Sequence, residues 1–397
     1  MLEAFHAEMA DAIAKLKAAG TYKALRVLEG PMDTVVPMEG HGDVLILSSN
    51  NYLGLASHPE VIKAGQDALA KFGAGTASVR FICGTFRPHR ELEGALARFF
   101  KTEAALSYVS CWTANTGVVP ALAGPEDALI SDQLNHASLI DACRLASKTR
   151  REIYRHADMK DLQEKLEATQ SCRRRLILTD GVFSMEGDLA PLPDILELAR
   201  KYQAIVLVDD SHGTGVMGKH GRGIHEHFGV EGEVDILTST LGKALGGAAG
   251  GFVASSAALC DMMVQISRPH LFSNALPATV AASAHKALEI LEREPQRVED
   301  IRRKSRKIRE GLKSRGFKPL EGESAIIPII VGDTALAIRM SQELLKEGVF
   351  VTGFGYPVVP EGTARLRIQT CATLTDDQIE RALDAFARVG KRLGGLR

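Results

Sequence analysis

Two residues in the middle of this chain have the types and settings for carbonyl chemistry. Lys243 stands alone among small residues in TSTLGKALGGAAGGF, just after the apolar run DILTS. A lone amine with room around it can reach a bound aldehyde, and desolvation favours its neutral, nucleophilic form. Asp209 and Asp210 end another apolar run, AIVLVDD, and are followed by Ser211, His212 and a string of glycines. Paired acids at the end of a buried strand are costly without partners. One of the two can cap the following turn, and the other is then free for chemistry. An amine near one strand end and an acid near another form the minimal set for pyridoxal 5'-phosphate. The lysine bonds its aldehyde, and the acid keeps its ring nitrogen protonated so that the ring acts as an electron sink.

Two other phosphate-binding readings fail on the residues. GTGVMG (213–218) matches G-x-G-x-x-G, but it follows a late strand and runs on into the turn-like KHGRG, not a helix. A phosphate loop around Lys243 needs Gly at 237 and Ser or Thr at 244, where the chain has Leu237 and Ala244.

The elements around these residues follow from patterning. ALSYV, ALIS, LILTD, IVLVDD, DILTS and GFVAS are short Val/Ile/Leu-rich runs that alternate with helical patterns between about 45 and 255. Continuous apolar runs are strands covered on both faces, so the fold class is α/β with a large, mainly parallel sheet. Ligands then sit beyond the carboxyl ends of the strands, where Asp209 and Lys243 fall. Residues 286–315 read as a charged helical stretch broken near Pro295 and closed at Gly316. A strand (325–331), a helix (335–347), strands at 349–353 and 365–369, and a helix opened by the Thr375-x-x-Gln378 box complete a smaller α+β C-terminal domain. The expected boundaries are 1–45 for an N-terminal helix and arm, 46–285 for the large domain and 286–397 for the small one. The helix at the start carries Leu2, Phe5, Met9, Ile13 and Leu16 on one face.

Composition narrows the classes further. The 397 residues carry 48 Lys+Arg against 49 Asp+Glu, a balance that argues against nucleic acid as a partner. The uncharged stretch Ala244–Cys260, rich in Gly, Ala and Ser, is short for a membrane span, and no membrane role is expected. The acids Glu3, Glu8 and Asp11 argue against a leader, and six scattered cysteines fit a reducing, cytoplasmic setting. No Cys/His spacing reads as a metal site. Twelve of the 37 glycines lie between 213 and 251, so the glycine excess is local to the segment around His212 and Lys243, where backbone must turn tightly.

The segments LILTDGVFSMEGDLAPL, VDDSHGTGVMG and TSTLGKALGG together resemble the α-oxoamine synthase family of fold-type I pyridoxal-phosphate transferases. The likeness runs from NNYLGLASHP near residue 50 to VPEGTARLRIQT near 369. Such enzymes condense an amino acid with an acyl-CoA. ASVRFICGT (77–85), SRPHLFSN (267–274) and VTGFGYPVVP (351–360) are most similar to the branch that joins glycine to acetyl-CoA. Trp112 and Thr113 depart from that branch's SCFDAN, HGTG is closer to the 8-amino-7-oxononanoate synthase branch, and Leu374 replaces a usual histidine.

The resemblance implies roles. Lys243 bonds the cofactor and later takes the glycine Cα proton. Asp209 pairs with the pyridinium, His212 bonds the phenolic oxygen, His136 stacks on the ring and Ser184 adds a hydrogen bond. Cys111 and Trp112 offer N–H groups to the phosphate, Thr240 a hydroxyl, and Ser273 reaches the phosphate of a neighbouring subunit in a homodimer with active sites at the interface. Strand alternation puts Arg365 and Arg367 on one face and does not choose between them; the resemblance selects Arg367 for the substrate carboxylate, with Asn50 assisting.

Overall fold

The computed structural model describes residues 1–356 and 358–394. Pro357, within VTGFGYPVVP, lies outside the described residues. The chain divides into two compact units. One comprises Asn50–Ser184 and Asp188–Arg302; the other comprises Met1–Ser49, Met185–Gly187 and Arg303–Arg397.

The larger unit is built on seven strands, Ala104–Tyr108, Ala128–Asp132, Arg150–Tyr154, Arg175–Asp180, Ile205–Asp209, Ile236–Thr240 and Gly251–Ser255. Across the sheet they run 104–108, 251–255, 236–240, 205–209, 175–180, 128–132, 150–154. Strand 251–255 is antiparallel to both its neighbours, and all other pairs are parallel. The inner strands are buried along almost their whole length, as their unbroken apolar runs require. Leu176, Leu178, Leu207, Ile236 and Val253 pack with Val118, Val119, Leu139 and Ala142 from the helices. Among the strands of this sheet, Arg150–Tyr154 is the one that patterning misses. RREIY occupies the sheet edge, where solvent reaches most of it, so its charges carry no apolar signature.

The smaller unit holds two three-stranded sheets. Gly42–Ile46 lies between Val35–Met38 and Val349–Phe350, and Ala364–Gln369 lies between Ile326–Gly332 and Thr352–Phe354. The run 349–353 predicts one strand; it divides at Val351 and serves both sheets. Leu312, Ile327, Leu366, Ile368, Leu383 and Phe386 form the core. The final helix, Asp376–Leu393, opens with the expected box. Gln378 N donates to Thr375 Oγ1 at 3.1 Å, and Thr375 N donates to Gln378 Oε1 at 2.9 Å, a cap worth about 1 kcal/mol.

The divisions fall elsewhere than expected. Position 45/46 lies inside the strand Gly42–Ile46, which pairs with 349–350, so the first 49 residues share a unit with the C-terminal part. Position 285/286 lies inside the helix Ala278–Arg293. That helix buries Ala281, Ala284, Ala287, Leu288 and Leu291 and packs on Pro59–Phe72 and Arg87–Phe100, which keeps it in the larger unit. The first helix forms over Leu2–Ala18 as predicted, with no residue buried. No helix among the described residues is long and apolar enough to cross a membrane.

Candidate active site

Asp209 is the last residue of its strand and sits beside Thr238 of the next strand and Asp180 of the one before. Its carboxylate is 5% exposed and does not stand alone. Asn115 Nδ2 donates to it at 2.7 Å and Ser211 N at 3.0 Å, and the Cys111 thiol lies 3.6 Å away. Asn115 is fully buried and is itself aimed by two hydroxyls: Nδ2 donates to Ser138 Oγ at 2.9 Å, and Oδ1 accepts from Thr238 Oγ1 at 2.7 Å. This frame holds the carboxylate in one orientation. Burial and the neighbouring Asp209 charge push the Cys111 thiol far up, so it stays neutral.

Asp210 takes the capping role. Its Oδ2 accepts from Ile224 N at 3.0 Å, and burial raises its carboxyl well above the usual range. The glycines beyond it explain themselves here. Gly223 has φ +105°, and a Cβ there would stand 1.6 Å from Asp210 Oδ2. GTGVMG forms turns, with no helix opened by its glycines, so no dinucleotide fingerprint is built.

Lys243 follows the strand Ile236–Thr240 by three residues. Thr240 Oγ1 accepts from Gly242 N at 3.0 Å and donates to Gly250 O at 3.1 Å, which shapes the turn carrying the lysine. Lys243 Nζ lies 2.9 Å from His212 Nε2, and His212 Nδ1 lies 2.7 Å from the buried Tyr52 hydroxyl. His136 is the N-cap of the helix Ala137–Leu145. Its backbone N–H donates to Asp180 Oδ1 at 3.1 Å, Ser138 Oγ lies 2.8 Å from Nδ1, and the Trp112 ring meets the imidazole edge-on at 5.9 Å. Asp180 is raised well above the carboxylate range, first by burial and then by the Asp209 charge.

The helix Cys111–Leu122 is capped by Ser110, whose Oγ accepts from Thr113 N at 3.1 Å. Helix geometry leaves the first-turn N–H groups of Cys111 and Trp112 facing outward, a setting that receives phosphate. The strand at Gly251 passes so close that a Cβ would meet Cys111 N at 2.2 Å, so only glycine fits.

These groups share a cavity of about 200 Å³, lined by Cys111, Trp112, His136, Asp209, His212, Thr240 and Lys243 with Ser110, Ser138, Asp180, Val182 and Ser211. An amine, a framed carboxylate, an imidazole and a helix N-terminus are the donor set that a phosphorylated pyridine aldehyde needs. The other anticipated residues are not among its lining. Asn50 is exposed, while its neighbour Asn51 forms the turn by accepting Ala56 N at 3.1 Å. Ser184 begins the turn between Phe183 and Asp188, and Ser273 ends the short helix Arg268–Phe272. Arg367 belongs to the smaller unit, as does Arg365. There the two arginines differ. Arg365 is 4% exposed, pairs with Glu186 at 2.8 Å and donates to Met185 O at 2.9 Å, so it is structural. Arg367 is half-buried and lies over the Phe354 ring at 4.7 Å.

Sequence reasoning misses Asn115 and Tyr52. Asn115 carries a signal, a polar residue inside the otherwise small and apolar helix ANTGVV. Tyr52 carries none, because its partner is 160 positions away.

Comparison with known proteins gives the family. The family model for aminotransferase class I and II matches residues 42–386. The chain belongs to that family. Human mitochondrial 2-amino-3-ketobutyrate coenzyme A ligase is 47% identical over 382 residues, 96% of this chain and 91% of the relative. The 8-amino-7-oxononanoate synthase of Symbiobacterium thermophilum is 48% identical over 380 residues, 96% of both. A structure of serine palmitoyltransferase with pyridoxal phosphate superposes at a TM-score of 0.92 with 34% identity, covering 99% of each chain. The α-oxoamine synthase resemblance and the fold-type I architecture therefore stand.

Proposed function

We propose that the protein is a pyridoxal-phosphate-dependent glycine C-acetyltransferase. It condenses glycine with acetyl-CoA to 2-amino-3-ketobutyrate and CoA, or runs the cleavage in threonine degradation. The observation that carries this reading is the convergence of Lys243, Asp209, His212 and His136 on one cavity beside a helix N-terminus. When bound, the cofactor supplies an electron sink for a carbanion at the amino acid Cα.

The chain's own groups do the rest. Asp209, aimed by Asn115 and Ser211, holds the ring nitrogen protonated. His136, fixed by Ser138 and Trp112, covers the ring face. Cys111 and Trp112 N–H groups take the phosphate, with Thr240. Lys243 would hold the aldehyde end of the cofactor, and its amine, when free, would be the base that takes the Cα proton. Arg367 pairs with the substrate carboxylate, for which Arg365 is already engaged by Glu186; Asn50 assists. Ser184 adds a hydrogen bond at the ring.

The enzyme works as a homodimer in which Ser273 serves the partner's site. Support comes from the exposed apolar residues Phe81, Ile82 and Phe272 around Ser273, at 58%, 68% and 71% exposure. The six free thiols suit the cytoplasm.

A second reading, an 8-amino-7-oxononanoate synthase, is favoured by the 48% identity to such an enzyme and by HGTG (212–215) directly after Ser211. Purified protein offered acetyl-, succinyl- and pimeloyl-derived thioesters, with glycine or alanine, separates the two. Preferred turnover of glycine with acetyl-CoA is expected. Preference for the pimeloyl thioester would overturn the first reading in favour of the second.

A further inference from the structure

Three polar groups are linked in series, two of them in the cavity wall. Tyr52 Oη lies 2.7 Å from His212 Nδ1, and His212 Nε2 lies 2.9 Å from Lys243 Nζ. Tyr52 is fully buried, and its ring meets the imidazole edge-on at 6.0 Å. Its place is set by the buried Leu53 and Leu55 beside it and by the turn in which Asn51 Oδ1 accepts Ala56 N. The phenol is therefore held rigidly against one nitrogen while the amine lies against the other.

A neutral imidazole carries one ring proton, so the two contacts are not independent. A proton on Nε2 leaves Nδ1 an acceptor, and the reverse. A tyrosine hydroxyl keeps its hydrogen at neutral pH and can donate it. We propose that Tyr52 is a positioning residue that holds His212 in the Nε2–H tautomer, so that the imidazole donates to Lys243 and keeps its amine neutral. The protons then run one way: Oη–H to Nδ1, and Nε2–H to the lone pair of Nζ. With the opposite tautomer, Nε2 accepts from Nζ–H and favours the ammonium. The neutral amine is the form that bonds an aldehyde carbon or takes a proton from carbon. The other titratable groups of the cavity wall are Cys111, His136, Asp180 and Asp209. Burial, and next the Asp209 charge, push both the Cys111 thiol and the Asp180 carboxyl up.

This inference rests on Lys243 being the residue that captures pyridoxal phosphate. It is tested on the apo-protein, by mixing with pyridoxal phosphate between pH 6 and 9.5. The cofactor's absorbance follows covalent capture, borohydride trapping locates it, and quenching of Trp112, the single tryptophan, follows entry before capture. Tyr52→Phe preserves the volume. It is expected to quench Trp112 as wild type does, to slow capture at pH 7 about three- to ten-fold, and to raise the pH of half-maximal rate by about 0.5–1 unit. In a His212→Asn background the same substitution is expected to change neither quantity. Capture at the wild-type rate, or an equal slowing in both backgrounds, would overturn the proposal and leave Tyr52 a packing residue. Nitrogen-15 chemical shifts of labelled His212 in the wild-type apo-protein decide the point without any variant: protonated Nε2 supports it, and protonated Nδ1 overturns it. Wild-type protein that traps no label on Lys243 removes the functional reading, and this one with it.

Discussion

Replacing His156 by glutamine is expected to lower stability at neutral pH and to have little effect near pH 10. Its Nδ1 lies 3.0 Å from Asp132 Oδ1 and its Nε2 lies 2.8 Å from Asp188 Oδ2, with the ring edge-on to Phe183 at 4.4 Å. Two carboxylates facing two ring nitrogens require both to be donors, which is the imidazolium. Burial opposes that charge as the largest single cause, but the two carboxylates together outweigh it and raise the group to about 10. The unfolded value is about 6.5. A raised folded value means that the stabilisation is complete below about pH 6.5 and fades as pH climbs towards 10. At pH 7 the remaining three units correspond to about 4 kcal/mol. Asp188 is partly exposed and screened by solvent, so about 2–3 kcal/mol is expected in practice. For a chain of this length that is a fall in Tm of roughly 3 °C. Thermal melts of both proteins at pH 7, 8.5 and 10 measure it. The gap should close with rising pH. A gap of equal size at pH 10, or none at pH 7, would refute the imidazolium. The clamp also bears on the site, because Asp132 Oδ1 accepts Leu134 N in the turn leading to His136. Looser cofactor binding should accompany the lost stability.

Other outcomes follow from the same geometry. Gly251→Ala pushes a methyl against Cys111 N, so the helix start must move; a shift near 1 Å should weaken pyridoxal phosphate binding by about 10²-fold, measured by absorbance titration. Arg365→Ala should cost about 3 kcal/mol in urea unfolding by stranding Glu186, whereas Arg367→Ala should leave stability within about 0.5 kcal/mol and raise KM for the amino acid at least about ten-fold. Burial holds His225 and His270 down at about 4. Folded values this low mean that the unfolded chain takes protons first as pH falls below about 6.5, so stability drops towards pH 4. Replacing either by glutamine should reduce the stability lost between pH 7 and 5 by about 2 kcal/mol, read from urea midpoints.

What could be read from residues alone was whatever local pattern encodes. The inner strands announce themselves as unbroken apolar runs because both their faces are covered, and Asp209 and Lys243 stand out because charge follows such runs. The edge strand Arg150–Tyr154 is wet and therefore looks like a loop. The division at 302/303 was hidden because Ala278–Arg293 presents the charged pattern of a surface helix, while its alanine stripe packs on helices more than 170 positions earlier. The choice between Asp209 and Asp210 needed the glycines that close on Asp210, and the choice between Arg365 and Arg367 needed Glu186. Asn115 and Tyr52 act through partners about 94 and 160 residues away, a distance that no local pattern spans.

The central claim is that Lys243 bonds pyridoxal phosphate in a cavity where Asp209 faces the ring. Borohydride reduction of the cofactor-loaded protein, followed by peptide mapping, tests it most directly. The account predicts a yellow protein that bleaches on reduction and carries the reduced pyridoxyl group on Lys243, with no such adduct in Lys243→Ala. A label on another lysine, or protein that stays colourless with excess pyridoxal phosphate, would contradict it.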